Sequence, residues 1–288
     1  MSSQARRLAL LALLLLPASS ARAQILIPIQ PHETLEFHLH SMRDQVTLYM
    51  GIPQELLRMD CRPVHVEPRI EYTHQRNATL RIRDQQLFQK QPPADLETLP
   101  EKQRQKYLSD AQTWEARLYP FGPTKFFLQI DDGVGVLDFT DFEVQEVRLK
   151  AANTKLDMEF GRQNPIPMEL FATQVKNGSM EFRKVLNARA KTMAFITNGS
   201  ICTFEITGKE YEGETEIVVD GDAQELSFVF SKKIGLRIDG PADVVARFES
   251  KQLSAEGEGL VSKNFANAKC KIRLNVAKAA PKMNVDWD

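Results

Sequence analysis

A fixed internal period constrains this chain more than any other feature. Between Gly133 and Phe248, phenylalanines recur at Phe139, Phe160, Phe182, Phe204 and Phe228, spaced about 21 to 24 residues apart. Each sits in a short alternating run, such as Leu156-Asp157-Met158-Glu159-Phe160 or Met180-Glu181-Phe182. Four of these runs are preceded by turn signals, Asn153-Thr154, Asn177-Gly178, Asn198-Gly199 and Asp220-Gly221. A further apolar run precedes each turn, as in Met193-Ala194-Phe195-Ile196. One unit therefore reads strand, tight polar turn, strand, loop. Self-similarity of this kind marks stacked repeats, in which a unit cannot bury its apolar face until a neighbour covers it. The fold expected is all-β: a stacked-strand repeat, solenoid-like, with an N-terminal β module packed on one end. The alternative is a β-sandwich in which the Asn-Gly turns close ordinary hairpins.

The segments outside the repeats read differently. Residues 1–23 have the form of a secretory leader: Arg6 and Arg7, an apolar run from Leu8 to Leu16, and the Ala21-Arg22-Ala23 cleavage pattern. That run is about half the roughly 20 residues needed to span a bilayer. Export to the periplasm or beyond is therefore expected, with no transmembrane segment in the mature chain. Residues 24–90 form a β-rich module in which Leu35, Phe37 and Leu39 alternate with Glu36, His38 and His40. Residues 91–112 read as a polar linker holding a short helix over Glu101 to Asp110. The β rack then occupies 113–288, with Ser254 to Gly259 as a polar connection and Cys270, Ile272, Leu274 and Val276 alternating in a closing strand.

A net charge of −1 and the lack of any long Lys/Arg run exclude a phosphate-tracking surface, so no nucleic acid partner is expected. Three cysteines, Cys61, Cys202 and Cys270, are too few and odd in number for a disulfide framework. Each reads as a small buried hydrophobe, with a single bridge as the alternative. The histidines (His32, His38, His40, His65, His74) all lie in the opening module. On a strand His38 and His40 share a face with Glu36, which is metal-ligand geometry, though nothing supplies further ligands. Asp131, Asp132, Asp220 and Asp222 lack the spaced oxygen ligands of a calcium loop and read as turn residues. There is no nucleophile elbow, Cys-x-x-Cys, zincin motif or phosphate-cradling loop. No catalytic, cofactor or metal residue is assigned.

The order and spacing of several pieces resemble the bacterial toast-rack family, that of the C-terminal domain of LiaF-type cell-envelope stress proteins. They are Leu56-Leu57-Arg58-Met59-Asp60, Pro68 to Tyr72, Trp114 to Leu118, Gly133-Val134-Gly135 with Leu137 to Phe142, Asn187-Ala188-Arg189 and Phe204 to Gly208. The resemblance covers nearly the whole mature chain. It implies an elongated rack of stacked strands with no known catalytic residues, in envelope roles. The chain departs from the family in keeping glycine on both sides of only the first repeat turn. The function expected is that of a non-enzymatic exported protein presenting a rigid β surface to another protein or envelope component, in envelope stress or adhesion. The alternative is a periplasmic metal-dependent enzyme sited around His38, His40 and Glu36. Asp157, Glu159, Glu181 and Glu205 are expected at matching places, as an acidic ladder on the outer face.

Overall fold

The computed structural model describes residues 23–62, 68–84, 112–248 and 250–288. The expected leader up to Arg22, His65 and the expected linker with its helix, save Gln112, lie outside the described residues.

The opening segment forms β1 (Ala23–Pro28), β2 (Thr34–Met42), β3 (Gln45–Met50), β4 (Glu55–Arg62), β5 (Arg69–Thr73) and β6 (Asn77–Arg83). The middle of the chain forms β7 (Thr113–Leu118), β8 (Thr124–Asp131), β9 (Val134–Asp138), β10 (Val144–Ala152) and β11 (Lys155–Glu159). It continues through β12 (Met168–Lys176), β13 (Ser179–Arg183), β14 (Ala190–Asn198), β15 (Ile201–Ile206), β16 (Gly213–Asp220) and β17 (Glu225–Phe230). The chain closes with β18 (Gly235–Asp239), β19 (Leu253–Glu256), β20 (Gly259–Ser262), β21 (Cys270–Val276) and β22 (Lys282–Trp287).

These strands make two sheets. One runs β1-β4-β7-β3-β9-β11-β13-β15-β17-β22 and the other β19-β20-β18-β21-β16-β14-β12-β10-β8-β2-β6-β5. The repeat order is the same in both. Each unit gives one strand to the twelve-stranded sheet, turns a corner, and gives the next strand to the ten-stranded sheet. Strands of successive units pair in parallel, as β10 does with β12 and β11 with β13. The Asn-Gly turns therefore join sheets rather than closing hairpins, and the repeat reading holds over the sandwich of hairpins.

The corner geometry explains the turn residues. Asp132, Asn153, Asn177 and Gly199 occupy successive corners with φ of 55°, 51°, 51° and 61°. Their N–H groups donate to Ala152, Lys176, Asn198 and Asp222 carbonyls of the next unit, each at 2.8 Å. Asn, Asp and Gly tolerate this left-handed conformation best. The second Asn-Gly pair is offset by one, so that Gly199 rather than Asn198 takes the corner.

Inside, one continuous apolar core lies between the sheets. The five repeat phenylalanines are each no more than 1% exposed. Their rings touch from Phe139 to Phe160 (5.1 Å) to Phe182 (6.1 Å), and from Phe204 to Phe228 (5.3 Å). Between Phe182 and Phe204 the path runs through Phe195 of the other sheet, at 6.1 and 4.7 Å. The register slips once: Phe182 stands beside Met158, not Phe160.

The opening strands occupy one end of both sheets and continue the stack: β2 pairs in parallel with β8 and β3 with β9, and β6 and β7 pair in parallel beyond them. One expectation needs correcting. The polar stretch at Ser254 to Gly259 is an antiparallel β19–β20 hairpin turning at Gly257, φ 64°, at the end of the twelve-stranded sheet. Cys61, Cys202 and Cys270 are all buried.

Candidate functional site

The outer face of the ten-stranded sheet does not carry the expected acidic ladder. Pairing places Asp157 beside Val136 and Glu181, and Glu181 beside Thr203, whereas Glu159 lies beside Asp138 and Arg183, and Glu205 lies beside Val229. The carboxylates fall in two different rows because the phenylalanine register slips. Arg183 then sits among them, its Nη2 2.7 Å from Asp157 Oδ1 and 3.4 Å from Glu159 Oε2, while Lys184 Nζ reaches Glu159 at 2.6 Å. This is an internally compensated ionic network, not a free acidic strip.

The opposite face is shaped. A groove of about 780 Å³ crosses the outer side of the twelve-stranded sheet from β6 to β14. Two cross-strand rows line it. Arg83, His40, Gln129, Lys150, Gln174 and Ile196 are successive partners in the first. His38, Phe127, Arg148, Ala172 and Ala194 are successive partners in the second. Alternation on each strand sends these side chains outward while Leu39, Leu128 and Leu149 point into the core. The depression exists because Ala172 and Ala194 are short beside Phe127, Arg148 and Lys150.

The chemistry of the lining is one-sided. Arg83, Arg148 and Lys150 are its fixed cations, and among the described residues no carboxylate lines it. Arg148 is held by Glu146 through its Nε. Arg83 and Lys150 form no ion pair among the described residues. His38 stacks on Phe127, ring centroids 4.7 Å apart at 15°. Burial pushes the His38 imidazole below its ordinary pKa; Glu36 pulls it up, and Arg81 and Arg83 push it further down. The balance favours the neutral imidazole. Ile196 is 44% exposed at the far end.

His38 and His40 thus share a face as their spacing implies, but they do not converge with Glu36 on one point. His38 Nε2 lies 3.6 Å from Glu36, and His40 Nε2 lies 3.7 Å from Asp131, whose carboxylate also accepts from Gln129 at 2.7 Å. Among the described residues no three His, Cys, Asp or Glu side chains are placed to share a metal ion. Asp132 is a corner residue, bound to Asn153 Nδ2 at 2.7 Å. Phe127, Arg83, Arg148, Lys150 and Ile196 escaped the sequence reading.

No protein-family model matches the chain, and no curated protein does. Two crystal structures align along most of its length. One is a candidate cell adhesion protein from Clostridium sporogenes, at 14% identity over 93% of this chain and 100% of that one, TM-score 0.38. The other is a candidate adhesin from Bacteroides fragilis, at 8% identity over 94% and 98% of the two chains, TM-score 0.37.

Proposed function

We propose that this chain is a non-enzymatic, exported scaffold that holds a macromolecular partner, an envelope component or another protein, on the outer face of its twelve-stranded sheet. One observation carries the reading: the groove spans six strands of a continuously hydrogen-bonded sheet, and among the described residues its exposed cations Arg83 and Lys150 form no ion pair. Strand pairing on both sides holds those side chains at fixed spacing, which favours binding with little ordering cost. Acid–base catalysis calls for converging titratable groups with separated pKa values. The lining offers instead two histidines that lie nearest different carboxylates, 3.6 and 3.7 Å away. The toast-rack resemblance and the leader at 1–23 support an exported role.

The test is binding of the exported chain to washed cell-envelope fractions. Arg83→Glu combined with Lys150→Glu should abolish retention, while Lys155→Glu on the ten-stranded face should leave it unchanged. Equal behaviour of the two variants would refute this assignment.

A further inference from the structure

The groove's chemistry narrows the partner, granted that the twelve-stranded face is the binding face. We infer that it holds a linear polysaccharide bearing carboxylates, laid across the strands along the direction in which the units stack.

Four features lead there. Arg83 and Lys150 lie three strands apart in one row, roughly 14 Å at about 4.8 Å per strand. Two cations at that separation, with Asp131 the one carboxylate among the described residues that adjoins the His40 and Gln129 between them, suit anionic groups repeated along an extended chain. Gln129 stands between them and Gln174 beyond, each able to donate to and accept from hydroxyls. Phe127, with His38 stacked against it, and the low floor at Ala172 and Ala194 present apolar surface of the kind that the C–H faces of sugar rings cover.

Other partners fit less well. The groove is open to solvent along its length, so an acyl chain would leave much of its apolar surface wet and forfeit its burial energy. A sugar chain keeps its outer hydroxyls hydrated. A sheet face has its backbone N–H and C=O groups engaged in the ladders, so an extended peptide could not add as a strand there. The field is also too weak for a nucleic acid: Glu36, Asp131 and Glu146 flank the groove's cations on the same face. A phosphate backbone carries far denser charge than a polysaccharide with one carboxylate per sugar or two.

Calorimetric titration of the exported chain at low salt tests this, with polygalacturonate, alginate and hyaluronate as probes and dextran and poly-L-glutamate as controls. At least one of the three uronic-acid polymers should bind, more weakly as salt rises. Arg83→Glu with Lys150→Glu should weaken it by about tenfold or more, one tenfold step being 1.4 kcal/mol. Phe127→Ala should weaken it roughly fivefold through lost ring contact. Both variants should melt as the unaltered chain does, since these side chains face outward. Dextran should not bind, and poly-L-glutamate should bind at least tenfold more weakly than the uronic-acid polymer. Failure of all three polymers, equal binding of poly-L-glutamate, or binding indifferent to both variants would overturn the inference. If the variants abolish envelope retention yet no uronic-acid polymer binds, only the identity of the partner falls and the proposed binding face stands.

Discussion

Phe182 is the most exacting probe of the stacked core. It is fully buried, stacked on Phe171 at 4.7 Å and in contact with Phe160 and Phe195 at 6.1 Å each. It therefore joins its own unit to both neighbours and to both sheets. Phenylalanine-to-alanine changes in cores cost about 3–5 kcal/mol, and specific ring pairs add about 0.5–1.5 kcal/mol beyond area. Phe182→Ala should thus fall in the upper part of that range, about 4–5 kcal/mol. At roughly 2–4 °C per kcal/mol for a chain of this size, the melting temperature should drop by about 10–15 °C. Phe182→Leu, which keeps most of the volume, should cost less than about 2 kcal/mol. Urea unfolding followed by circular dichroism and by tryptophan fluorescence measures both. Stability in a stack is a sum of unit and interface contributions, so a broadened or split transition is the expected secondary signature. A loss below about 1 kcal/mol for Phe182→Ala, or equal losses for alanine and leucine, would refute the central-column argument.

Other consequences are simpler to check. Gly178→Ala should destabilise by about 2–3 kcal/mol, because a Cβ there would sit 2.2 Å from the Thr154 carbonyl oxygen and force the corner apart; a change within 0.5 kcal/mol would contradict the corner geometry. Asp44 is 1% exposed, and burial beside Asp84 pushes its carboxyl from 3.8 up to about 7, against hydrogen bonds from the Gln112 N–H and the Ser41 hydroxyl. Its folded form holds the proton longer than the unfolded form, so its contribution is full below pH 3.8 and is lost as pH rises through about 7. Asp44→Asn should flatten that slope in unfolding measured from pH 4 to 8; an unchanged slope would count against it. Burial pushes the Cys202 thiol up to about 11, and all three cysteines are buried. A thiol reagent should accordingly label none in the native protein and three in denaturant. N-terminal sequencing of exported protein should begin at or near Gln24, which preserves the β1 pairing from Gln24–Asp60 onward; recovery of Met1 would refute removal of the leader.

The stacking was legible because its signal is local and periodic. Alternation marks which face of each strand is buried, and Asn or Gly at a corner marks where the chain changes sheet. What the pattern leaves open is register. Aligning the repeats on phenylalanine puts Phe160 beside Phe182, whereas the corners put Met158 there. That slip of two residues keeps every side chain on its proper face, so burial alone cannot detect it. It does move Glu159 from a supposed ladder with Glu181 to the side of Arg183, turning an apparent acidic strip into a neutralised network. The joining of the opening module to the stack was not legible for a related reason: its strands pair with residues some 90 positions later, as in His38 with Phe127.

The groove was hidden by the same cause. Its two rows collect single residues from six strands, and no window of sequence shows Arg83, Lys150 and Ile196 as neighbours. The outward positions were nevertheless available. Once the corners Asp132, Asn153 and Asn177 are aligned, Gln129, Lys150 and Gln174 stand three residues before each, and Phe127, Arg148 and Ala172 five before. Corner alignment thus reads across the strands, where phenylalanine alignment reads only the core. A parallel stack gives every outward position a fixed neighbour one unit away, so a line of compatible side chains can be built by independent changes in separate repeats without disturbing the interior. Short residues at Ala172 and Ala194 and cations at Arg83 and Lys150 alter only that outer line, whereas a change at Phe182 disturbs three units at once. The outer rows of the twelve-stranded sheet are consequently where this architecture can acquire specificity at the least cost to its stability.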